Sequence, residues 1–280
     1  MKVDGFSDSE LDEFRDRQRL SYAIQQSVME QLHDGITERA VARLLMKAYR
    51  SEGVQAWFHL PVVLFGDRTA LPDPWTVLGF WPTDRVLQPG DAVILDASPI
   101  FGDYLVDTSQ SFHHGPNATH DAIATDDLAY RDTILDAVKR RATFKEIAIH
   151  VDATLTHAGY ANRHRLHPGA VLGHRVAKLG RAVEPDADGF DQTLIGWFVE
   201  HVAAAAPPEV PSPTWGAYDR SDHPPPDGLW AVEPHIARDG IGVKWEELLV
   251  IAGNDAYWLD DAPPHIHAAG ALRGSRRLIR

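Results

Sequence analysis

Two aspartates, Asp96 and Asp107, stand eleven positions apart across a Pro/Gly-containing turn at 99–103. Asp96 closes the apolar run 92–95 and Asp107 closes 104–106, which reads as a hairpin whose strands each end on a carboxylate. An unpaired carboxylate is too costly to bury, and two folded back on each other repel unless a hard cation lies between them. An Asp-capped turn with a second Asp at the surface fits the same spacing. A second pair follows late in the chain. Glu233, in Val-Glu-Pro, and Glu246, in Lys-Trp-Glu-Glu, are thirteen positions apart beside two further apolar strands. Between the two pairs lies Leu172-Gly173-His174-Arg175.

Composition narrows the chemistry. The 280 residues contain no cysteine, so disulfides, thiolate metal sites and cysteine nucleophiles are excluded, and any metal must be held by His, Asp and Glu. Asp and Glu outnumber Lys and Arg by 40 to 27, for a formal charge of −13, which argues against nucleic acid and anionic membranes as partners. A basic cluster lies in the tail around Arg273, Arg276 and Arg277. Residues 1–13 are acidic and polar, unlike a secretory signal, and no run of apolar residues is long enough to span a bilayer. The expectation is a cytoplasmic protein.

The elements that must position these groups are legible as pattern. Residues 7–34 read as an amphipathic helix, capped by Ser7 or Ser9, with Leu11, Phe14, Leu20, Ile24, Val28 and Leu32 broadly on one face and Gly35 as its stop. A second helix starts at Thr37 and stops at Gly53; 62–65 reads as a short strand after Pro61, and 67–84 as mostly loop. Helices at about 125–141 and 144–158 follow, the second opened by a Thr143/Glu146 capping box. Thr37 to Gly53 and Thr143 to Gly159 each span sixteen positions, and each such helix follows another. That repetition suggests two similar α/β halves packed face to face. The stretch 182–228 breaks the pattern with a short helix at 192–206, apolar at Leu194, Trp197, Phe198 and Val202, and a Pro-rich loop at 207–226. A lid, a dimer contact and a solvent-facing excursion all fit it.

Taken together, these stretches resemble the pita-bread metallopeptidases: methionine aminopeptidases, aminopeptidase P, prolidase and the related creatinase. The resemblance runs from about residue 10 to 260 and corresponds to the catalytic domain alone. It implies an α+β fold in which two pseudo-symmetric α/β halves surround a central antiparallel sheet, as a single domain over 1–280 with 182–228 inserted. It implies five metal ligands in the order Asp96, Asp107, His174, Glu233 and Glu246. Asp107 and Glu246 would bridge two divalent cations, Asp96 completing one and His174 with Glu233 the other. Manganese is the first choice, with cobalt, iron or zinc compatible with such O/N donors. A small peptide or amide would be cut by a metal-bridging water, and family habit implies a homodimer.

The sequence departs from the family where active peptidases carry two further histidines. Seven residues after His174 stands Arg181, and Asp73 occupies the expected upstream position. Arginine cannot act as a base near neutrality, although it can hold a carboxylate or an oxyanion. Candidates for the missing roles are Arg181 itself, His235 and His167, with His59 and His223 also considered. The first expectation is therefore an Xaa-Pro aminopeptidase- or dipeptidase-like hydrolase. The alternatives are an amidinohydrolase or lyase acting on a small carboxylated substrate, and a non-catalytic pita-bread binding module.

Overall fold

The computed structural model describes residues 5–202 and 212–266. Helix α1 (Asp8–Met29) begins where Ser7 and Glu10 close a reciprocal capping box. Thr37 caps α2 (Glu38–Ser51) through the Ala40 amide. Strand β1 (Ala56–Phe65) then pairs with β2 (Asp91–Phe101), and β2 also pairs with β3 (Tyr104–Leu105) and β4 (Thr108–His114). Helices α3 (Ala118–Asp127), α4 (Ala129–Lys139) and α5 (Phe144–His157) follow, α5 being opened by the Thr143/Glu146 capping box. The later strands are β5 (Ala161–Asn162), β6 (Gly173–Arg175), β7 (Thr214–Trp215), β8 (Gly228–Val232), β9 (His235–Arg238), β10 (Ile241–Lys244), β11 (Glu247–Ala252) and β12 (Asp255–Trp258). Helix α6 (Gln192–Val202) precedes β7.

Every strand pair is antiparallel. The first half of the chain supplies the β1–β4 sheet; the second supplies a sheet ordered β12-β11-β8-β6-β7 and a small one ordered β10-β9-β5. The halves meet where Ser109 and Glu246 exchange backbone hydrogen bonds and where the Ser111 hydroxyl bonds both the amide and the carbonyl of Lys244. The repeat expected from the threonine-to-glycine spacing is present: α2 and α5 are both 14 residues long, each with a threonine cap, and Gly53 and Gly159 follow them at φ +86° and +80°.

Strands β8 and β11 are buried on both faces. Leu229, Ala231, Leu248 and Val250 pack into a core shared with α1, α2, β1 and β2. Their alternating neighbours Trp230, Val232, Leu249 and Ile251 pack against α3, α4 and α5. This two-sided burial explains why these strands read as continuous apolar runs.

One expectation needs correction, and two stretches gain detail. Strand β2 does not end at Asp96 but runs through Pro99 to Phe101, so Asp96 sits mid-strand opposite Val62 and Ser109. The polar segment 108–114, which carries no apolar alternation, is strand β4. The region 67–84 contains two 3-10 turns, Gly66–Ala70 and Val77–Phe80. Of the 182–228 stretch, the part from 203 to 211 lies outside the described residues, as do the side chains of Trp197, Phe198 and Val202 and the basic tail beyond 266.

Candidate metal centre and active site

Four carboxylates converge by different local devices. Asp107 stands in the break between β3 and β4, Glu233 between β8 and β9, and Glu246 between β10 and β11. Asp96 projects from the middle of β2. His174 is placed by β6, which pairs with β8 at Ala231. All five groups are buried, from 1% exposure for Asp107 and Glu246 to 7% for Asp96.

Two sets of donor atoms form around them, and Asp107 belongs to both. In one, His174 Nε2 lies 3.2 Å from Asp107 Oδ2 and 3.6 Å from Glu246 Oε1. In the other, His59 Nε2 lies 3.6 Å from Asp96 Oδ1 and 3.4 Å from Asp107 Oδ1. His59 reaches this position through an irregularity in β1: the register against β2 slips on both sides of it, between Trp57 and His59 and between His59 and Val62. Pro61, which has no amide to donate, lies in the slipped segment. Bulges of this kind re-aim side chains.

Lys244 is the residue that motif reading overlooked. Its ammonium lies 2.5 Å from Asp96 Oδ2 and 2.9 Å from both Glu233 Oε2 and Glu246 Oε2. A lysine between Val243 and Trp245 in an apolar strand, two positions before a ligand glutamate, was the available signal, since alternation puts both side chains on one face. Burial opposes the charge on Lys244, yet Asp96, Glu233 and Glu246 outweigh it and raise its pKa further.

The electrostatics are those of a cation site. Burial, then Asp107, raise Glu246 to about 8. Enclosure opposes a charge on His59, but Asp107 and Asp96 outweigh it and raise its pKa to about 10. His174 is raised in the same way, against burial, by its bonds to Asp107 and Glu246. Asp107 and Glu233 are lowered by the cationic groups beside them despite burial. Among the described residues, Asp96 Oδ1, Asp107 Oδ1 and Glu246 Oε1 have no hydrogen-bond partner although fully buried. Orphaned carboxylate oxygens beside imidazole nitrogens fit divalent metal ions.

His167 and His235 extend the site. His235 Nε2 donates to the Thr69 carbonyl at 2.8 Å. Burial holds His235 neutral, so its Nδ1 accepts from His167 Nε2 at 3.0 Å. His167 Nδ1 lies 2.7 Å from Glu233 Oε2. The other sequence candidates lie elsewhere. Arg181 forms a two-pronged ion pair with Asp191, at 2.6 and 2.9 Å, and lines a separate pocket beside Gly53 and Asp103. Its placement speaks against the expected catalytic role: it does not line the cavity that holds the carboxylates, and the Asp191 fork takes up the guanidinium. Asp73 is exposed, and His223 packs on Phe144 at the far side of β7.

Asp96, Asp107 and Glu233 line a cavity of about 360 Å³ whose other walls are apolar, including Phe58, Val62, Phe80 and Trp81. Phe190, Ile195 and Val199 complete the wall, so the described part of the 182–228 stretch lies over its own chain's site. Among the described residues no helix is long and apolar enough to cross a membrane.

Known proteins share this fold. Residues 12–252 match the sequence model described as "Metallopeptidase family M24". An uncharacterized peptidase of Staphylococcus saprophyticus is 28% identical over 169 residues, which is 59% of this chain and 47% of the relative. The chain thus spans about half the length of that relative. Among solved structures, an X-Pro aminopeptidase from Thermotoga maritima superposes with a TM-score of 0.66 at 19% identity, covering 92% of this chain and 62% of that one. The prolidase from Pyrococcus furiosus gives 0.61 at 18% identity, covering 91% and 65%. These last two likenesses show the pita-bread fold, and the family match over most of the sequence shows descent: the chain belongs to metallopeptidase family M24.

Proposed function

We propose that the protein is a dinuclear metal-dependent hydrolase that cuts a small peptide or amide, with an Xaa-Pro peptide as the first substrate class. The observation that carries this reading is the convergence of the orphaned oxygens of Asp96, Asp107 and Glu246 with His174 and His59, in a cluster of which Asp96, Asp107, His174 and His59 line an apolar cavity. Asp96, Asp107, His174, Glu233 and Glu246 would hold the ions, Asp107 being the shared ligand. Bound there, two divalent cations lower the pKa of a water and polarise a scissile carbonyl. The chain's own groups do the rest. Phe58, Phe80, Trp81 and Ile195 exclude bulk water and present the apolar surface that a proline ring prefers. His167 and His235 stand where a proton can be held and passed beside Glu233, a task for which Arg181 and Asp73 are unsuited.

A second reading, changed chemistry on a small carboxylated substrate, is favoured by one observation. Lys244 adds a fixed positive charge on the cavity floor among the carboxylates. One experiment separates the readings. Metal content is measured on protein purified without chelator, beside the D107A/E246A double variant, and Xaa-Pro peptides are then assayed with Mn²⁺. About two equivalents of metal, lost in the variant, together with peptide hydrolysis support the first reading. Full metal loading without hydrolysis of any peptide favours the second, and absence of metal binding refutes the first and leaves a metal-free, creatinase-like site or a binding module. The homodimer belongs to the same proposal, and sedimentation of the metal-loaded protein tests it.

A further inference from the structure

Away from the carboxylate floor, a second group of metal-binding side chains gathers where β4 runs into α3. His113 lies one residue before the end of β4, and His120 and Asp121 lie in the first turns of α3, whose start is fixed by the Asn117 cap on the His120 amide. The donor atoms of the three residues all lie within 4.8 Å of one another, and none of the three residues lines the active-site cavity.

His120 poses a problem of its own. The residue is 3% exposed, and neither ring nitrogen has a hydrogen-bond partner among the described residues. A neutral imidazole carries one donor and one acceptor, and burying both without partners is costly. Burial, reinforced by His113, pushes its pKa down to about 4, so the ring is neutral at physiological pH and its lone pair is available.

His113 has the complementary arrangement. Its Nδ1 lies 2.5 Å from the Gly115 carbonyl, which can only accept, so Nδ1 carries the proton. Nε2 faces Asp121 Oδ1 at 2.9 Å. A positive centre joins such a pair, and either a proton on Nε2 or a bound cation supplies it. A ring whose far N–H is held by a backbone carbonyl while the other nitrogen points at a carboxylate is the arrangement of a metal-ligating histidine.

We propose that His113, His120 and Asp121 form a cation site distinct from the catalytic centre, which takes one Zn²⁺ or a similar late first-row divalent ion. Two imidazoles and one carboxylate form a borderline N/O set suited to zinc. The side chains of His113 and Asp121 are each 29% exposed, which leaves the fourth position open to water or a small anion. An ion there satisfies His120 and ties the first turns of α3 to the end of β4. Helix α3 in turn packs on β10, the strand that carries Lys244.

Zinc stoichiometry at micromolar metal tests the site, because the two centres lose metal through different residues. The wild-type protein, the D107A/E246A variant, His113→Gln and His120→Ala are compared, with zinc-edge anomalous diffraction locating the ions in the wild type. The expected result is one equivalent fewer in each histidine variant than in the wild type. One equivalent remains in D107A/E246A, and an anomalous peak lies between His113 and His120. Should the buried His120→Ala fail to fold, the half-exposed His113→Gln decides alone. Equal stoichiometry in wild type and His113→Gln, zinc density confined to the carboxylate floor, or binding only at millimolar zinc would overturn the proposal.

Discussion

At the scale of single residues, His59 is the clearest product of the fold. Its ring is turned toward the orphaned oxygens of Asp96 and Asp107 by a two-sided register slip in β1. Nothing local in Phe58-His59-Leu60-Pro61 encodes that slip, because it depends on pairing with β2, which lies some 35 positions downstream. The candidate metal ligands were legible because their order and spacing follow a family pattern; His59 entered only as one of several spare histidines and Lys244 not at all, because both stand outside that pattern. Removing His59 is expected to lower metal affinity or kcat by about 10–100-fold, the range seen when groups supporting a metal site are lost. Metal titration and steady-state kinetics of His59→Ala check this, and wild-type values for both would remove His59 from the site.

Asp127 is a second residue-scale case. It is fully buried at the end of α3, and neither carboxylate oxygen has a hydrogen-bond partner among the described residues. Burial, then Asp126, raise its pKa well above the ordinary value. Below the unfolded pKa of about 4 both states are protonated and the group costs nothing. As pH rises beyond that value the unfolded chain releases the proton and the folded one keeps it, so stability falls by up to about 1.4 kcal/mol per pH unit until the folded pKa is reached. Asp127→Asn removes this slope. Urea midpoints at about pH 4.5 and pH 7.5 should therefore differ less in the variant than in the wild type, and an unchanged difference would show that Asp127 is already ionised in the native state.

At the scale of elements, the helix starts were the most legible features. Ser7, Thr37 and Thr143 are caps whose partners lie within three residues, so sequence alone determines them. Strand β4 was missed because Thr-Ser-Gln-Ser shows no alternation, its pairing being set by β2. Helix α6 depends on a partner that is not local. Asp191 accepts from the Leu194 amide at its start, and the Arg181 fork holds that buried carboxylate down at about 2. Its contribution to stability is present above the unfolded pKa of about 4 and is lost as pH falls toward 2. Arg181→Ala leaves Asp191 short of its strongest partner, at a cost of about 1–3 kcal/mol. Since α6 brings Ile195 and Val199 to the cavity wall, the variant is expected to raise KM more than it lowers kcat. A loss confined to kcat, with KM and stability unchanged, would instead return Arg181 to the chemistry.

At the scale of the whole molecule, the candidate centre is a joint between the two halves. Asp96 and Asp107 come from the β1–β4 sheet, whereas His174, Glu233 and Glu246 come from the strands of the second half. Polar links at that joint include the Ser109–Glu246 backbone pair, the Ser111 hydroxyl on Lys244, the Lys244 ammonium on Asp96 and the Tyr22 hydroxyl on the Glu246 carbonyl. Ions bound by ligands from both halves would add to these links and bind only the folded chain. By mass action, metal at about a thousand times its Kd stabilises the native state by about 4 kcal/mol. The apolar strands β8 and β11 contribute to both cores, so the halves should melt as one unit. Calorimetry with Mn²⁺ and with chelator is therefore expected to show a single transition that moves to lower temperature as metal is withdrawn. The shift should vanish in D107A/E246A apart from any zinc effect at His113 and His120. Two separated transitions in the metal-free protein would mean that each half holds its fold without the other, and that the carboxylates join domains rather than complete one.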